Sequence, residues 1–148
     1  QDADSLSEFS AVFNNTMHAG AEPVAPWREL AAVATSQLNG CLYCAGIHGR
    51  LYLEAGGDEA LINALFAEHH RDDAVETLSN NLKEKKEAAL LEATVALTRT
   101  PERFDARQLH GLSDAGYSAT QSLDILLTAA LFSWSNRLIQ TLGDTQNP

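Results

Sequence analysis

The sequence predicts an all-α protein built as a multi-helix bundle, and three observations lead to this prediction. Apolar residues recur at three- and four-residue spacing along most of the chain, which is the period of an α-helix. No segment alternates polar and apolar residues for long, so strands are not expected. Glycine and proline stand between the periodic segments, as expected for short loops between packed helices.

The periodic segments divide the chain into seven or eight helices, of which the fifth is short. They cover residues 6–18, 26–39, 41–56, 58–69, 73–79, 83–100, 105–116 and 119–142. Pro26 suits the first turn of the second helix, and Gly40 supplies its end. Asp58 can cap the fourth helix. With no long repeat and no linker, we expect one domain over residues 1–148.

Two capping boxes are predicted before the last two helices. Asp105 with Gln108 precedes the short helix that ends at Gly116, and Ser118 with Gln121 precedes the final, most apolar helix. In each pair, the first side chain can accept from a backbone N–H three residues on, and the second can accept from the first residue's own N–H. Gly143 is expected to close the final helix.

The composition excludes several classes of function. The chain has 148 residues and a formal net charge of −10, which argues against a nucleic-acid partner because phosphate binding needs clustered Lys and Arg. No apolar run approaches 18 residues, so no membrane span is expected. Two cysteines are too few for a disulfide scaffold and fit a reducing cytoplasm. The chain begins at Gln1 without a signal-peptide pattern, and we interpret it as processed, trimmed or renumbered.

The only two cysteines stand in one short run with a histidine. Cys41 and Cys44 are two residues apart, and His48 follows four residues after the second. On a helix these positions share one face, within roughly two turns. A dithiol beside a base indicates redox chemistry, because exchange needs an attacking thiolate, a resolving thiol and a proton carrier.

Either cysteine could attack first. Gly40 places Cys41 at the start of a helix, where free N–H groups and the helix dipole stabilise a thiolate. Cys44 is closer to the base, since His48 lies one turn further along the same helix. The residues alone leave the attacking thiol open.

Three other interpretations of this run were weighed. The cysteines could be small buried hydrophobes beside a surface histidine. Cys41, Cys44 and His48 could bind zinc with His69 or His70 as the fourth ligand, although no second ligand pair at zinc-site spacing follows. A thioredoxin-like domain is disfavoured because no strand precedes the CxxC motif. We therefore predict no metal site and no cofactor.

The run resembles the signature of the carboxymuconolactone decarboxylase-like superfamily, and more closely its alkyl hydroperoxidase D-like and peroxidase-related branch. That signature is a Glu twelve residues before Cys-x-x-Cys-x-x-x-His, here Glu29, Cys41, Cys44 and His48, in the motif region 29–48. Three later segments resemble the later helices of the branch: Ala96-Leu-Thr-Arg-Thr-Pro, Leu112-Ser-Asp-Ala-Gly-Tyr-Ser and Phe132-Ser-Trp-Ser-Asn-Arg-Leu. The resemblance extends over about residues 22–143.

The resemblance implies an all-α fold that assembles into homo-oligomers: dimers, trimers or hexamers. It also implies an antioxidant thiol peroxidase, in which Glu29, His48 and a water relay protons to the catalytic pair Cys41 and Cys44. The implied partners are an organic hydroperoxide or disulfide substrate and an external dithiol reductant of lipoyl or thioredoxin type. The alternatives are a thiol-disulfide oxidoreductase that feeds a separate peroxidase, and a non-enzymatic zinc-binding scaffold.

One departure from the best-known hydroperoxidase concerns the residues between the cysteines. That protein has a histidine there, whereas this chain has Leu42-Tyr43, as in the peroxidase-related branch. Tyr43 could donate a hydrogen bond or serve as a core or interface aromatic. Four aromatic residues could line an apolar pocket above the dithiol and favour an organic hydroperoxide over hydrogen peroxide: Trp27, Phe66, Phe132 and Trp134.

Overall fold

The computed structural model describes residues 3–18, 25–67 and 73–142, and within these ranges the chain forms eight α-helices and no strand. The helices are α1 (Ala3–His18), α2 (Pro26–Leu38), α3 (Leu42–Glu54), α4 (Glu59–Ala67), α5 (Ala74–Asn81), α6 (Lys85–Thr98), α7 (Ala106–Asp114) and α8 (Ala119–Leu142). The predicted all-α class is confirmed. No helix in the described ranges combines the length and apolar character that crossing a bilayer requires.

The predicted capping boxes are present. The Asp105 carboxylate accepts from the Arg107 N–H at 2.7 Å, and the Asp105 N–H donates to the Gln108 side chain at 3.0 Å. At α8, the Ser118 N–H donates to the Gln121 side chain at 2.9 Å, and the Gln121 N–H returns a bond to the Ser118 hydroxyl at 3.2 Å. These side chains satisfy N–H groups that have no partner within their helices.

The predicted helix boundaries differ from the observed ones by a few residues. The sixth helix was expected over residues 83–100 and runs from Lys85 to Thr98, because Glu84 at its N-cap is extended. Asp58 precedes α4 as predicted, and its carboxylate accepts from the Ala60 N–H at 2.8 Å. The predicted ends at His69 and Gly143 lie outside the described residues.

Helix α2 forms the centre of the bundle. It packs against α3, α6 and α8, and eight consecutive residues, Glu29 to Ser36, are buried. A helix covered on every side is apolar on every side, and residues 30–34 are Leu-Ala-Ala-Val-Ala. Glu29 is the one charged side chain in this buried stretch. The fold thus places a carboxylate in the interior, beside the helix that carries the cysteines.

Candidate active site

The turn between α2 and α3 places Cys41. Gly40 adopts φ +75°, a conformation that favours glycine. The Gly40 N–H donates to the Gln37 carbonyl at 3.1 Å, and the Cys41 N–H donates to the Ser36 carbonyl at 2.9 Å. These two bonds make a Schellman motif, which ends α2. The motif fixes Cys41 as the residue immediately before α3.

Cys41 and Cys44 form a disulfide at the start of α3. The helix was expected to start at about Cys41, but it begins at Leu42 and Cys41 occupies its N-cap position. The Cα atoms of the two cysteines are 5.5 Å apart, a separation that a disulfide readily spans. Both residues are buried, with 3% of Cys41 and 5% of Cys44 exposed. The dithiol can therefore open and close without a large backbone movement.

His48 and Glu29 form a buried pair beside the dithiol. His48 lies one helical turn beyond Cys44, and its Nδ1 is 2.6 Å from Glu29 Oε2. An ionised carboxylate only accepts hydrogen bonds, so the Nδ1–H donates to Glu29 and Nε2 remains available to exchange a proton. Glu29 Oε1 is also buried and has no hydrogen-bond partner among the described residues, so it can accept a further bond.

An aromatic row closes one side of His48. Phe132 of α8 stands edge-on to the imidazole, with ring centroids 4.6 Å apart. Phe13 of α1 lies 5.9 Å beyond Phe132, and Phe9 lies 6.0 Å beyond Phe13. Trp134 meets Phe9 at 4.6 Å and is half exposed. Because this side is packed with rings, water has little access to the imidazole from it.

Of the four aromatic residues identified from the sequence, only Phe132 has a ring contact with His48 among the described residues. Trp27 and Phe66 pack against the main core, which includes Leu30 and Leu61. The apolar pocket expected around the dithiol stays a prediction.

Helix α8 anchors the turn that carries Cys41. The Asn136 amide donates to the Ser36 hydroxyl at 3.3 Å, and both residues are fully buried. The Gln140 amide donates to the Asn39 carbonyl at 2.6 Å. Asn136 is thus a buried polar anchor between α8 and α2. Ser36 and Gln140 were not identified from the sequence, because their partners are about a hundred residues away in the chain.

The structure brings the four predicted site residues to one place. Cys44 and His48 lie in the first two turns of α3, Cys41 lies at its N-cap, and Glu29 reaches His48 from α2. His69 and His70, the alternative zinc ligands, lie outside the described residues. Within the described ranges, no group of three or more His, Cys, Asp or Glu side chains is arranged to hold a metal ion.

Residues 13–83, which contain all four site residues, match the family model for the carboxymuconolactone decarboxylase family. A comparison with curated proteins finds no match.

Several solved structures share the fold. The alkylhydroperoxidase AhpD core of an uncharacterized peroxidase-related protein from Ralstonia eutropha JMP134 has a TM-score of 0.74 and 23% identity; the match covers 95% of this chain and 69% of that one. A peroxidase-related protein from Silicibacter sp. TM1040 has a TM-score of 0.73, 22% identity and the same coverages.

In a third structure, the match extends over more of the other protein's length. It is a protein of unknown function from Agrobacterium tumefaciens whose name suggests an AhpD antioxidant defence protein. It has a TM-score of 0.73 and 20% identity, and the match covers 98% of this chain and 91% of that one. At such identities the likeness shows a common fold. Residues 13–83 are thus similar to the carboxymuconolactone decarboxylase family, and the chain has the fold of these AhpD-like structures.

Proposed function

We propose that this protein is an antioxidant thiol peroxidase of the alkyl hydroperoxide reductase type. The observation that carries the proposal is the position of the Cys41–Cys44 dithiol one helical turn from the buried Glu29–His48 pair. A pair of thiols supplies the two electrons that a hydroperoxide requires. A histidine held by a carboxylate supplies and removes the protons.

In the proposed cycle, a cysteine thiolate attacks the terminal peroxide oxygen and the O–O bond breaks. The sulfur becomes a sulfenic acid, and the organic fragment leaves as an alkoxide that takes a proton to become an alcohol. The second thiol then attacks the sulfenic sulfur, which releases water and forms the disulfide. His48 takes the proton from the attacking thiol and returns it to the alkoxide, while Glu29 stabilises the imidazolium formed between these steps.

The identity of the attacking thiol depends on two competing effects. Cys41 occupies the N-cap of α3, where the helix dipole stabilises a thiolate. Cys44 lies one turn from His48 on the same helix, within reach of a base.

After the disulfide has formed, an external dithiol of lipoyl or thioredoxin type reduces it and completes the cycle.

We also propose that the protein is a homo-oligomer. Four large apolar residues form an exposed stripe along α8: Leu123, Leu127, Trp134 and Leu138. Their spacing of four or seven residues keeps them on one side of the helix. A contiguous exposed apolar stripe is typical of a surface that another chain covers.

The test of the peroxidase proposal is the free-thiol content after addition of stoichiometric cumene hydroperoxide to the reduced protein, followed by stopped-flow. We expect both thiols to disappear together, faster than free cysteine reacts, and dihydrolipoamide to restore them. If peroxide reacts no faster than with free cysteine while small disulfides oxidise the pair quickly, the proposal is wrong and the protein is a dithiol carrier for a separate peroxidase.

A further inference from the structure

The two residues between the cysteines are exposed to solvent. Leu42 is 53% exposed and Tyr43 is 56% exposed, although both are large and each stands next to a buried cysteine. Tyr43 therefore does not contribute to the core of this chain. Neither side chain has a role in the peroxide chemistry described above.

The stretch of chain around this pair carries no charge. Residues 30–47 contain no Asp, Glu, Lys, Arg or His, in a chain with a formal net charge of −10. The nearest exposed charged side chains further along α3 are Arg50 and Glu54, which pair with each other at 3.5 Å. An exposed apolar pair that includes an aromatic residue is typical of protein contact sites.

The other sides of the disulfide are covered. Cys41 is tied to α2 through its N–H bond to Ser36, and α8 covers the adjoining turn through the bond from Gln140 to Asn39. With 3% and 5% of the cysteine residues exposed, an incoming thiol has a narrow approach. The large exposed side chains nearest to the cysteines in the chain are Leu42 and Tyr43.

We propose that Leu42 and Tyr43 form the docking surface for a protein that presents a dithiol, and that this protein is the reductant. The proposal rests on the proposed function, which requires a reductant at this disulfide. The reactive group fixes the chemistry of the partner, because only a thiol exchanges with a disulfide under mild conditions. The exposed apolar pair favours a protein over a free small dithiol, since a small dithiol covers neither side chain.

The partner would reduce the Cys41–Cys44 disulfide in two thiol–disulfide exchange steps. A thiolate of the partner attacks one sulfur of the Cys41–Cys44 disulfide, and the other sulfur leaves as a thiolate that takes a proton through His48. The second thiol of the partner then attacks the mixed disulfide and releases the second cysteine as a thiolate. Two electrons pass from the partner to this chain, which ends as a dithiol, and the partner ends as a disulfide.

The experiment uses the oxidised protein and its Leu42→Ser/Tyr43→Ser variant. Reduction is followed by free-thiol appearance with three probes: reduced thioredoxin, a protein domain carrying dihydrolipoyl-lysine, and dithiothreitol. Because truncating an aromatic anchor weakens a protein interface, we expect the rate constant for the better protein probe to fall about tenfold or more in the variant. The dithiothreitol rate should change less than about twofold, since a small dithiol makes no contact with the surface.

Three controls test whether a change in the reduction rate comes from the surface formed by Leu42 and Tyr43. Leu109→Ser changes an exposed leucine on α7 and should leave all three rates unchanged. Tyr43→Phe keeps the ring and should retain most of the rate with the protein probe. The reduced double variant should lose its thiols to cumene hydroperoxide at the wild-type rate, which separates this proposal from the peroxidase proposal.

Several results would overturn the docking proposal. An equal loss with dithiothreitol would mean that Leu42 and Tyr43 act on the disulfide itself. If the variant is reduced by both protein probes at the wild-type rate, no docking surface is needed. The same conclusion follows if neither protein probe reduces the wild-type protein faster than dithiothreitol does. A change in oligomeric mass of the double variant would assign the surface to contacts between copies of this chain.

Discussion

Glu29 and His48 are joined by a 2.6 Å contact in the protein interior, although nineteen residues separate them in the chain. The carboxylate comes from the first turn of α2 and the imidazole from the middle of α3. Their meeting depends on the turn at Gly40, which folds α3 back along α2. The same turn positions Cys41, so one local motif arranges both the dithiol and its proton carrier.

Glu29→Gln should slow the oxidation of the dithiol by peroxide by about 10- to 100-fold, the loss that is typical when the hydrogen-bond partner of a metal-bound histidine is removed. The amide has the same size as the carboxylate but carries no charge to stabilise an imidazolium. The measurement is the stopped-flow rate of thiol loss between about pH 5 and 8. We expect the pH profile to change as well as the rate.

The control for this prediction is Glu54→Gln, at the end of the same α3. Glu54 is exposed and pairs with Arg50 at 3.5 Å, so its loss should leave the rate unchanged. A wild-type rate and an unchanged pH profile in Glu29→Gln would show that the pair is only structural.

Removal of either cysteine should abolish turnover with hydroperoxide and an external dithiol. Cys41→Ser and Cys44→Ser each leave one thiol, which cannot form the intramolecular disulfide. In the variant that retains the attacking thiol, peroxide should still produce a sulfenic acid, which dimedone traps and mass spectrometry detects. The labelled variant identifies the attacking cysteine. Full wild-type turnover in Cys44→Ser would refute the two-cysteine cycle.

Local patterns predicted most of the fold, and tertiary contacts account for what they missed. Gly40, Asp105 and Gln121 marked helix ends correctly, because capping depends on neighbouring residues. The spacing of Cys41 and Cys44 likewise placed the dithiol on one helix face.

The carboxylate that meets His48 could be expected only from the family resemblance, since helical spacing carries no information on contacts between α2 and α3. The bond from Asn136 to Ser36 joins positions 100 residues apart, and no periodicity in the sequence indicates it. The same holds for Phe132, whose contact with His48 depends on the packing of α8.

Leu127→Glu should shift the protein toward a smaller oligomer. Leu127 is half exposed near the middle of the apolar stripe of α8, where a buried carboxylate would have no partner in a contact between chains. The measurement is molar mass by light scattering after size-exclusion chromatography, over a range of concentrations. Leu109→Glu, on α7 and similarly exposed, should leave the mass unchanged. An identical mass for wild type and Leu127→Glu would place any interface elsewhere.

Gly40→Ala and Gly46→Ala should change stability in opposite directions. Gly40 has φ +75°, so alanine there should lower the free energy of unfolding by about 1 kcal/mol. Gly46 lies inside α3 with nothing within 4 Å of an added Cβ, so alanine there should raise it by about 0.5–1 kcal/mol. Urea unfolding measures both changes. An unchanged midpoint in Gly40→Ala would contradict the Schellman motif described for this turn.

Alkaline unfolding should depend on Tyr117. Burial raises the pKa of the Tyr117 hydroxyl well above its usual range, and burial also raises the pKa of Tyr52. Both are neutral acids, so above about pH 10 the unfolded chain releases their protons while the folded chain keeps them. The unfolded state then binds fewer protons than the folded state, and the free energy of unfolding decreases as the pH rises. This contribution is fully present below about pH 10 and is lost as the pH rises toward the folded-state values.

Phenylalanine keeps the ring of Tyr117 over which Lys86 lies, with Nζ 5.0 Å from the ring centroid, but has no proton to lose. Tyr117→Phe should therefore lose less stability than wild type between about pH 8 and 11, the interval in which an ordinary tyrosine ionises. Urea unfolding at each of these two pH values gives, for each protein, the change in the free energy of unfolding between them. Tyr43→Phe is the matched control, because Tyr43 is exposed at the start of α3, and its alkaline loss should equal that of wild type. Equal losses in wild type and Tyr117→Phe would mean that the Tyr117 hydroxyl ionises alike in the folded and unfolded chains.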